Sequence, residues 1–172
     1  EMDIRIGDSI IRLTEEFSRD VDTLEIVARG ENEDYVINRN TLGARYQTDI
    51  NAYLRIIADY EHTDTWTDGD ADADFQDNYN DRLNLSGLWA VNQNLRVGPY
   101  MSLDSTVFDD DTKNDFVTYE PGIVATYRPT GLYTVEGSLG YNIIDVDVDN
   151  NPNADAEDNM WTAGVAVRGP IT

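Results

Sequence analysis

Alternation of apolar and polar positions with period two dominates the chain, and this is the signature of half-buried β-strands. From Leu83 to Val91 the residues Leu83, Leu85, Gly87, Trp89 and Val91 share one face, opposite Asn84, Ser86, Leu88 and Ala90. Leu95, Val97, Pro99, Met101 and Leu103 repeat the theme, as do Val117 to Arg128, Tyr133 to Ile143 and Trp161 to Arg168. Upstream, Ala52, Leu54, Ile56, Ala58 and Tyr60 alternate with polar partners, as do Leu42, Ala44 and Tyr46, and Leu24, Ile26 and Ala28. In the first twenty residues Ile4 and Ile6 suggest a strand, while Ile10, Leu13 and Phe17 also have helical spacing.

The connections are short and long in turn. Tight turns are expected near 48–51, at Asn92-Gln93-Asn94 and at Pro129-Thr130-Gly131. Long polar loops are expected at 62–80, 104–115 and 145–159. In an up-and-down meander this places every tight turn at one end and every long loop at the other. Trp89, Tyr127, Tyr133 and Tyr46 sit toward the tight-turn end, and Tyr119, Tyr141, Tyr60 and Trp161 toward the long-loop end. Short turns at one end, long loops at the other and two aromatic belts point to an all-β, antiparallel up-and-down transmembrane β-barrel. About eight strands are expected, or part of a larger barrel. Residues 22–172 would form the barrel domain and 1–21 an N-terminal segment, an extra strand. The same periodicity suits a soluble barrel or sandwich with its apolar face inward.

Composition narrows the function classes. The chain has 172 residues and no cysteine, with 12 Lys and Arg against 34 Asp and Glu, a net charge of -22. No cysteine means no disulfide framework, zinc-thiolate site or thiol nucleophile. The negative charge disfavours nucleic acid, which is held by basic side chains. No apolar run reaches the roughly 20 residues of a membrane-spanning helix, and the first residues show no signal-peptide pattern. A single histidine, His62, stands beside Glu61 and Asp64, and there is no P-loop or G-x-S-x-G. The chain is therefore not expected to be an enzyme.

The stretch DRLNLSGLWAVNQNLRVGPYMSLDSTVFDDDTKNDFVTYEPGIVATYRPTGLYTVEGSLGY resembles Gram-negative outer-membrane β-barrel proteins. It is nearest to the β-barrel porins encoded with exopolysaccharide operons. The resemblance rests on LSGLWAVNQNLRVG and ATYRPTGLYTVEGSLGY, each a strand, a short polar turn and a strand. It extends over about residues 35–169 and implies a bacterial outer-membrane location and a passive role, as a small porin-like or a structural, surface-interaction barrel. Partners would be outer-membrane lipid or lipopolysaccharide, with acidic oligosaccharide or small ions as solutes.

With the apolar face against lipid, the polar face lines a lumen. Its basic members would be Arg29, Arg39, Arg45, Arg55, Arg82, Arg96, Arg128 and Arg168, and its acidic members Glu25, Asp59, Glu61, Glu120 and Glu136. These either pair inside a filled barrel or line a path for anions. The three long loops hold seventeen of the thirty-four acids and would form an acidic extracellular rim. Within them Asp68, Asp70, Asp72, Asp74 and Asp77 offer carboxylates at nearly every second position, a pattern suited to weak Ca²⁺ binding. It lacks the Gly and Glu of an EF-hand loop. The alternative function is that of a soluble, secreted acidic β-barrel or sandwich that binds divalent cations or carbohydrate.

Overall fold

The computed structural model describes residues 1–26, 31–68, 77–109, 114–130, 132–146 and 158–169, with backbone alone for 21–26, 31–35, 130 and 158. The described residues form nine strands and no helix. They are β1 (Met2–Ile6), β2 (Ser9–Ile26), β3 (Glu31–Asp49), β4 (Leu54–Asp68), β5 (Asn78–Ala90), β6 (Leu95–Phe108), β7 (Phe116–Thr130), β8 (Tyr133–Val146) and β9 (Asp158–Arg168). All lie in one sheet in sequence order, each antiparallel to the next. The fold is thus all-β, antiparallel and up-and-down. The first twenty residues are the hairpin of β1 and the start of β2 rather than helix, and residue 22 falls inside β2.

Local chemistry sets the reversals. Gly7, with φ 59°, makes the two-residue turn between Ile6 and Ser9, a conformation that costs glycine little. The next two tight turns repeat one device. The Asn51 side-chain oxygen accepts from the backbone N–H of Tyr53 and Leu54, and Asn92 does the same for Asn94 and Leu95. The first turn therefore lies at 50–53 rather than 48–51, and Ala52, expected in a strand, is in the turn. Thr48 and Asp49 stay in the ladder opposite Ile56 and Arg55.

The strands also run further into the expected loops. β4 reaches Asp68, β6 reaches Phe108 and β8 reaches Val146. The reason is visible in the alternation, which continues past the apolar residues with Ser, Thr, Asn and Asp. Asp104 and Asp145, expected in loops, are strand residues opposite Thr118 and Val117. The strands leave only 69–77, 109–115 and 147–157 between them.

The two faces differ sharply. The convex face carries Leu13, Leu42, Tyr46, Tyr60, Leu85, Trp89, Met101, Ile123, Leu139 and Val165, all exposed. Among the described residues Leu88 is the one buried large hydrophobic. The accessible surface is 11749 Å², against about 8,500 Å² for a globular protein of this mass. The excess follows from the architecture: one layer of sheet has no second layer to pack on.

The sheet curls until β3 and β4 face β8 and β9 across a polar concavity of about 560 Å³. It does not close into the expected barrel of about eight strands. Among the described residues β9 pairs only with β8, and the opposite edge is β1 and, beyond Leu13, β2.

Candidate functional site: an arginine-rich concave face

Strand register puts Arg39, Arg45, Arg55, Arg82, Arg96, Glu120, Arg128, Glu136 and Arg168 all on the concave face. The side chain of Glu25 and all of Arg29 lie outside the described residues. The face divides into two regions.

Toward the tight turns, Arg45, Arg55, Arg96, Arg128 and Arg168 line one concavity, although they come from five different strands. Three carboxylates answer them. Arg55 makes a two-pronged contact with Asp49 at 2.8 and 2.9 Å. Arg45 lies 3.4 Å from Asp59, and Arg168 lies 4.0 Å from Glu136. Arg96 shares Asp49 at 3.9 Å, and its Nη1 is buried without a hydrogen-bond partner. Among the described residues the region therefore holds five guanidinium groups against three carboxylates, an excess of two positive charges. A confined surface of one sign concentrates counter-ions.

Toward the long loops the arginines are differently placed. Arg82 donates to Asp104 at 2.7 Å, and Asn80 donates to the other oxygen of that carboxylate at 2.6 Å. Arg39 sits at the register position between Ser18 and Thr65. Glu120 accepts a hydrogen bond from the Tyr100 hydroxyl. The sequence reading missed Asp104 because it counted that residue as loop. Its parity with Ser102 and Thr106 was the available signal.

Asp70, Asp72 and Asp74 of the expected cation loop lie outside the described residues. The two flanking acids serve strand ends. Asp68 accepts from Asn38 at 2.8 Å, and Asp77 accepts from the backbone and hydroxyl of Thr67. No group of three or more His, Asp or Glu side chains among the described residues is arranged to hold a metal ion.

On the convex face, one row beyond Tyr60–Leu83, His62 pairs with Asp81 across β4 and β5. The His62 Nδ1 lies 2.9 Å from Asp81 and Nε2 lies 3.2 Å from Asp64, while the Tyr60 hydroxyl donates to Asp81 at 2.6 Å. Asp81 is the neighbour that sequence adjacency could not show, whereas Glu61 belongs to the opposite face. The hydrogen bond that His62 donates to Asp81, reinforced by the charge of Asp64, raises the His62 pKa above its ordinary 6.5. Bonds from Tyr60 and His62 lower that of Asp81.

Comparison with known protein families, curated proteins and solved structures returned no match.

Proposed function

We propose that this sheet is the wall of a bacterial outer-membrane β-barrel. Its convex face would meet lipid, and its concave face would line a narrow passage that favours small anions at the tight-turn end and carries an acidic rim at the other. The observation that carries this reading is the convex band itself. On β6 it runs from Leu95 to Leu103, with Val97, Pro99 and Met101 between. The eight steps between these nine residues, at about 3.4 Å each and tilted by about 40°, stand about 21 Å tall. An outer-membrane barrel has an apolar band of about 25 Å. Trp89, Tyr127 and Tyr133 border it on one side, and Tyr60 and Tyr119 on the other, all exposed. Ser105, Asp81 and His62 form the next row beyond it. Water is a poor solvent for such a band, and an uncovered patch of this size is itself a sign of an interaction surface.

The electrostatic half of the reading rests on the five arginines. The guanidinium of Arg is more weakly hydrated than an ammonium, so it tolerates a confined, partly desolvated wall better than Lys, and its planar fork suits carboxylate, phosphate and other anions. The sequence resemblance to Gram-negative outer-membrane barrels points the same way.

Refolding the chain in buffer and again in detergent or lipid, with sedimentation and far-UV circular dichroism, tests the lipid reading. A monomeric β fold that forms only with detergent or lipid supports it. A cooperative monomeric β fold in plain buffer sinks it, and favours the soluble acidic protein that binds divalent cations or carbohydrate. Reversal potentials across a planar bilayer under a salt gradient then test the anion preference.

A further inference from the structure

The open sheet has two unequal free edges, and their geometry fits them to each other. β9 is paired along one side by β8, from Thr134–Arg168 to Ile144–Asp158, and along the other it is unpaired among the described residues. β2 is paired along its whole length by β3, but β1 covers its outer side only from Ser9 to Leu13. Residues 14–26 of β2 therefore present free backbone donors and acceptors, an arrangement that folded proteins usually cover or blunt.

Strand direction decides which partner suits β9. In a nine-stranded meander the first and ninth strands point the same way, so β9 is parallel to β1 and antiparallel to β2. Only β2 continues the ladder in the sense of the other eight pairings. The same fact disfavours closure through a second copy, because β9 of one copy would first meet β1 of the other in parallel.

Register decides where. A line of directly opposed residues runs Ile11, Tyr46, Ala58, Leu85, Met101 and Pro121. Counting inward from Tyr119–Ile143 and Gly122–Gly140 places Tyr141 opposite Pro121, and Tyr141 faces Trp161. In a closed barrel such a line returns to its first strand displaced by the stagger of the strands. The direction is visible here. β2 extends far past this line toward the long loops, up to Ile26, whereas β9 extends mostly toward the tight turns, down to Arg168. Across the concavity Asp59, which lies just above the line, shares a cavity with Arg168, which lies well below it. The line thus climbs toward the long-loop end and meets β2 again above Ile11.

The displacement is an even number, since an odd one would turn every side chain to the wrong face. A stagger of roughly ten residues sets Arg168 opposite Thr14 and Asp158 opposite Leu24, which lays all of β9 on the free stretch. A stagger of roughly eight would set Val167 opposite Leu13, which Met2 already pairs.

We propose that β9 closes the sheet by pairing antiparallel with residues 14–24 of β2, while β1 stays on Ser9–Leu13 and covers the rest of that edge. β2 to β9 then form an eight-stranded barrel, and β1 is a strap set end to end with β9 on the one long strand. The two-pronged contact of Arg12 with Asp3, at 2.8 and 3.0 Å, holds the strap. An eight-stranded barrel is narrow, so closure brings the arginines from opposite walls toward one another. This inference rests on strand register and not on what covers the convex face.

The absence of cysteine makes the test direct. Ala163 and Arg19 are opposed at the proposed register, so Ala163→Cys with Arg19→Cys, oxidised in the full chain under conditions where circular dichroism shows the β fold, is expected to move the monomer to a faster-migrating form that reductant reverses. Met2→Cys with Leu13→Cys is expected to cross-link under the same conditions. A folded sample without the Ala163–Arg19 cross-link overturns the closure, as does a disulfide-linked dimer. Preferential cross-linking of Val167→Cys with Leu13→Cys overturns the strap, since β9 would then have displaced β1. Amide exchange on the unaltered chain gives the same answer without substitution: slow exchange is expected along 14–24, and exchange as fast as in an unpaired edge overturns the pairing.

Discussion

The ring of Tyr100 lies against Gly122. From β6 it crosses the concave face of β7 toward Gly140 on β8, and its hydroxyl donates to Glu120. Both glycines leave the room that the ring occupies. A Cβ on Gly122 would overlap the Tyr100 ring and stand 2.6 Å from the Leu139 carbonyl oxygen, and one on Gly140 would stand 2.6 Å from the Glu120 carboxylate. An aromatic ring set on glycines in neighbouring strands fills the groove they leave and helps to pin the register.

Gly122→Ala is therefore expected to destabilise the sheet by about 1–3 kcal/mol, the range for overpacking a filled site. The carbonyl of Leu139 is backbone and has little freedom to move aside. Gly137→Ala is the control, because its nearest neighbour would be a carbonyl oxygen at 4.0 Å. It is expected to shift stability by no more than about 0.5 kcal/mol. Urea titration of both variants, followed by circular dichroism, measures the difference. Equal effects would mean that Tyr100 does not hold Gly122.

Much of this arrangement was legible in the chain. Alternation assigned β4 to β9 and the second half of β3, with both of their faces, because a period of two is a direct consequence of the pleat. All the proposed arginines whose side chains are described, with Glu120 and Glu136, fall on one face for that reason. Three things were not legible. The turn at 50–53 depends on the Asn51 side chain capturing two N–H groups, and a neighbouring Thr-Asp pair looks equally turn-like in sequence. The strand ends at Asp104 and Asp145 carry polar residues that composition assigns to loops. Which arginines meet is a matter of sheet curvature: Arg45 and Arg168 line one cavity although 123 positions separate them in the chain. Curvature is a sum of many small twists, and no local pattern encodes it.

The lipid reading makes a prediction that exposure alone would not. Ile123 and Leu139 are opposed in the middle of the convex band and are 59% and 53% exposed. Were that face in water, Leu139→Arg would change stability by no more than about 0.5 kcal/mol. Against the hydrocarbon midplane an arginine costs about 2–4 kcal/mol. The variant refolded into lipid vesicles is expected to show the larger loss in denaturant titration, and a neutral result would place the band outside a bilayer.

Arg96 and Arg128 test the concave charge. Arg128 makes no ion pair with a described residue, and one nitrogen of Arg96 lacks a hydrogen-bond partner, so removing either charge strands no carboxylate that depends on it alone. Asp49 keeps Arg55. Arg96→Gln with Arg128→Gln removes the two-charge excess of the region. The reversal potential under a salt gradient is expected to move toward cation preference, with the fold unchanged by circular dichroism. An unchanged potential would mean that ions do not pass this wall.

His62 gives the chain a pH dependence whose sign is fixed by its neighbours. Both ring nitrogens face carboxylates, Asp81 at 2.9 Å and Asp64 at 3.2 Å, so the doubly protonated ring is the form that satisfies both. Its pKa is raised by the Asp81 hydrogen bond first and by Asp64 as well. A raised value means that folding favours the charged ring. The stabilisation is complete below the ordinary 6.5 and is lost as the pH rises through the raised value. Asp81 is lowered, by Tyr60 and His62, so its share is present above the ordinary carboxylate value and fails only in acid. Stability should therefore fall as the pH rises above the ordinary 6.5 and through the raised value, by a modest amount, about 0.5 kcal/mol, since the pair is partly exposed. His62→Gln should flatten that slope and leave the acid limb in place. Melting curves taken across this range decide it, and a slope that survives in His62→Gln would assign the titration to another group.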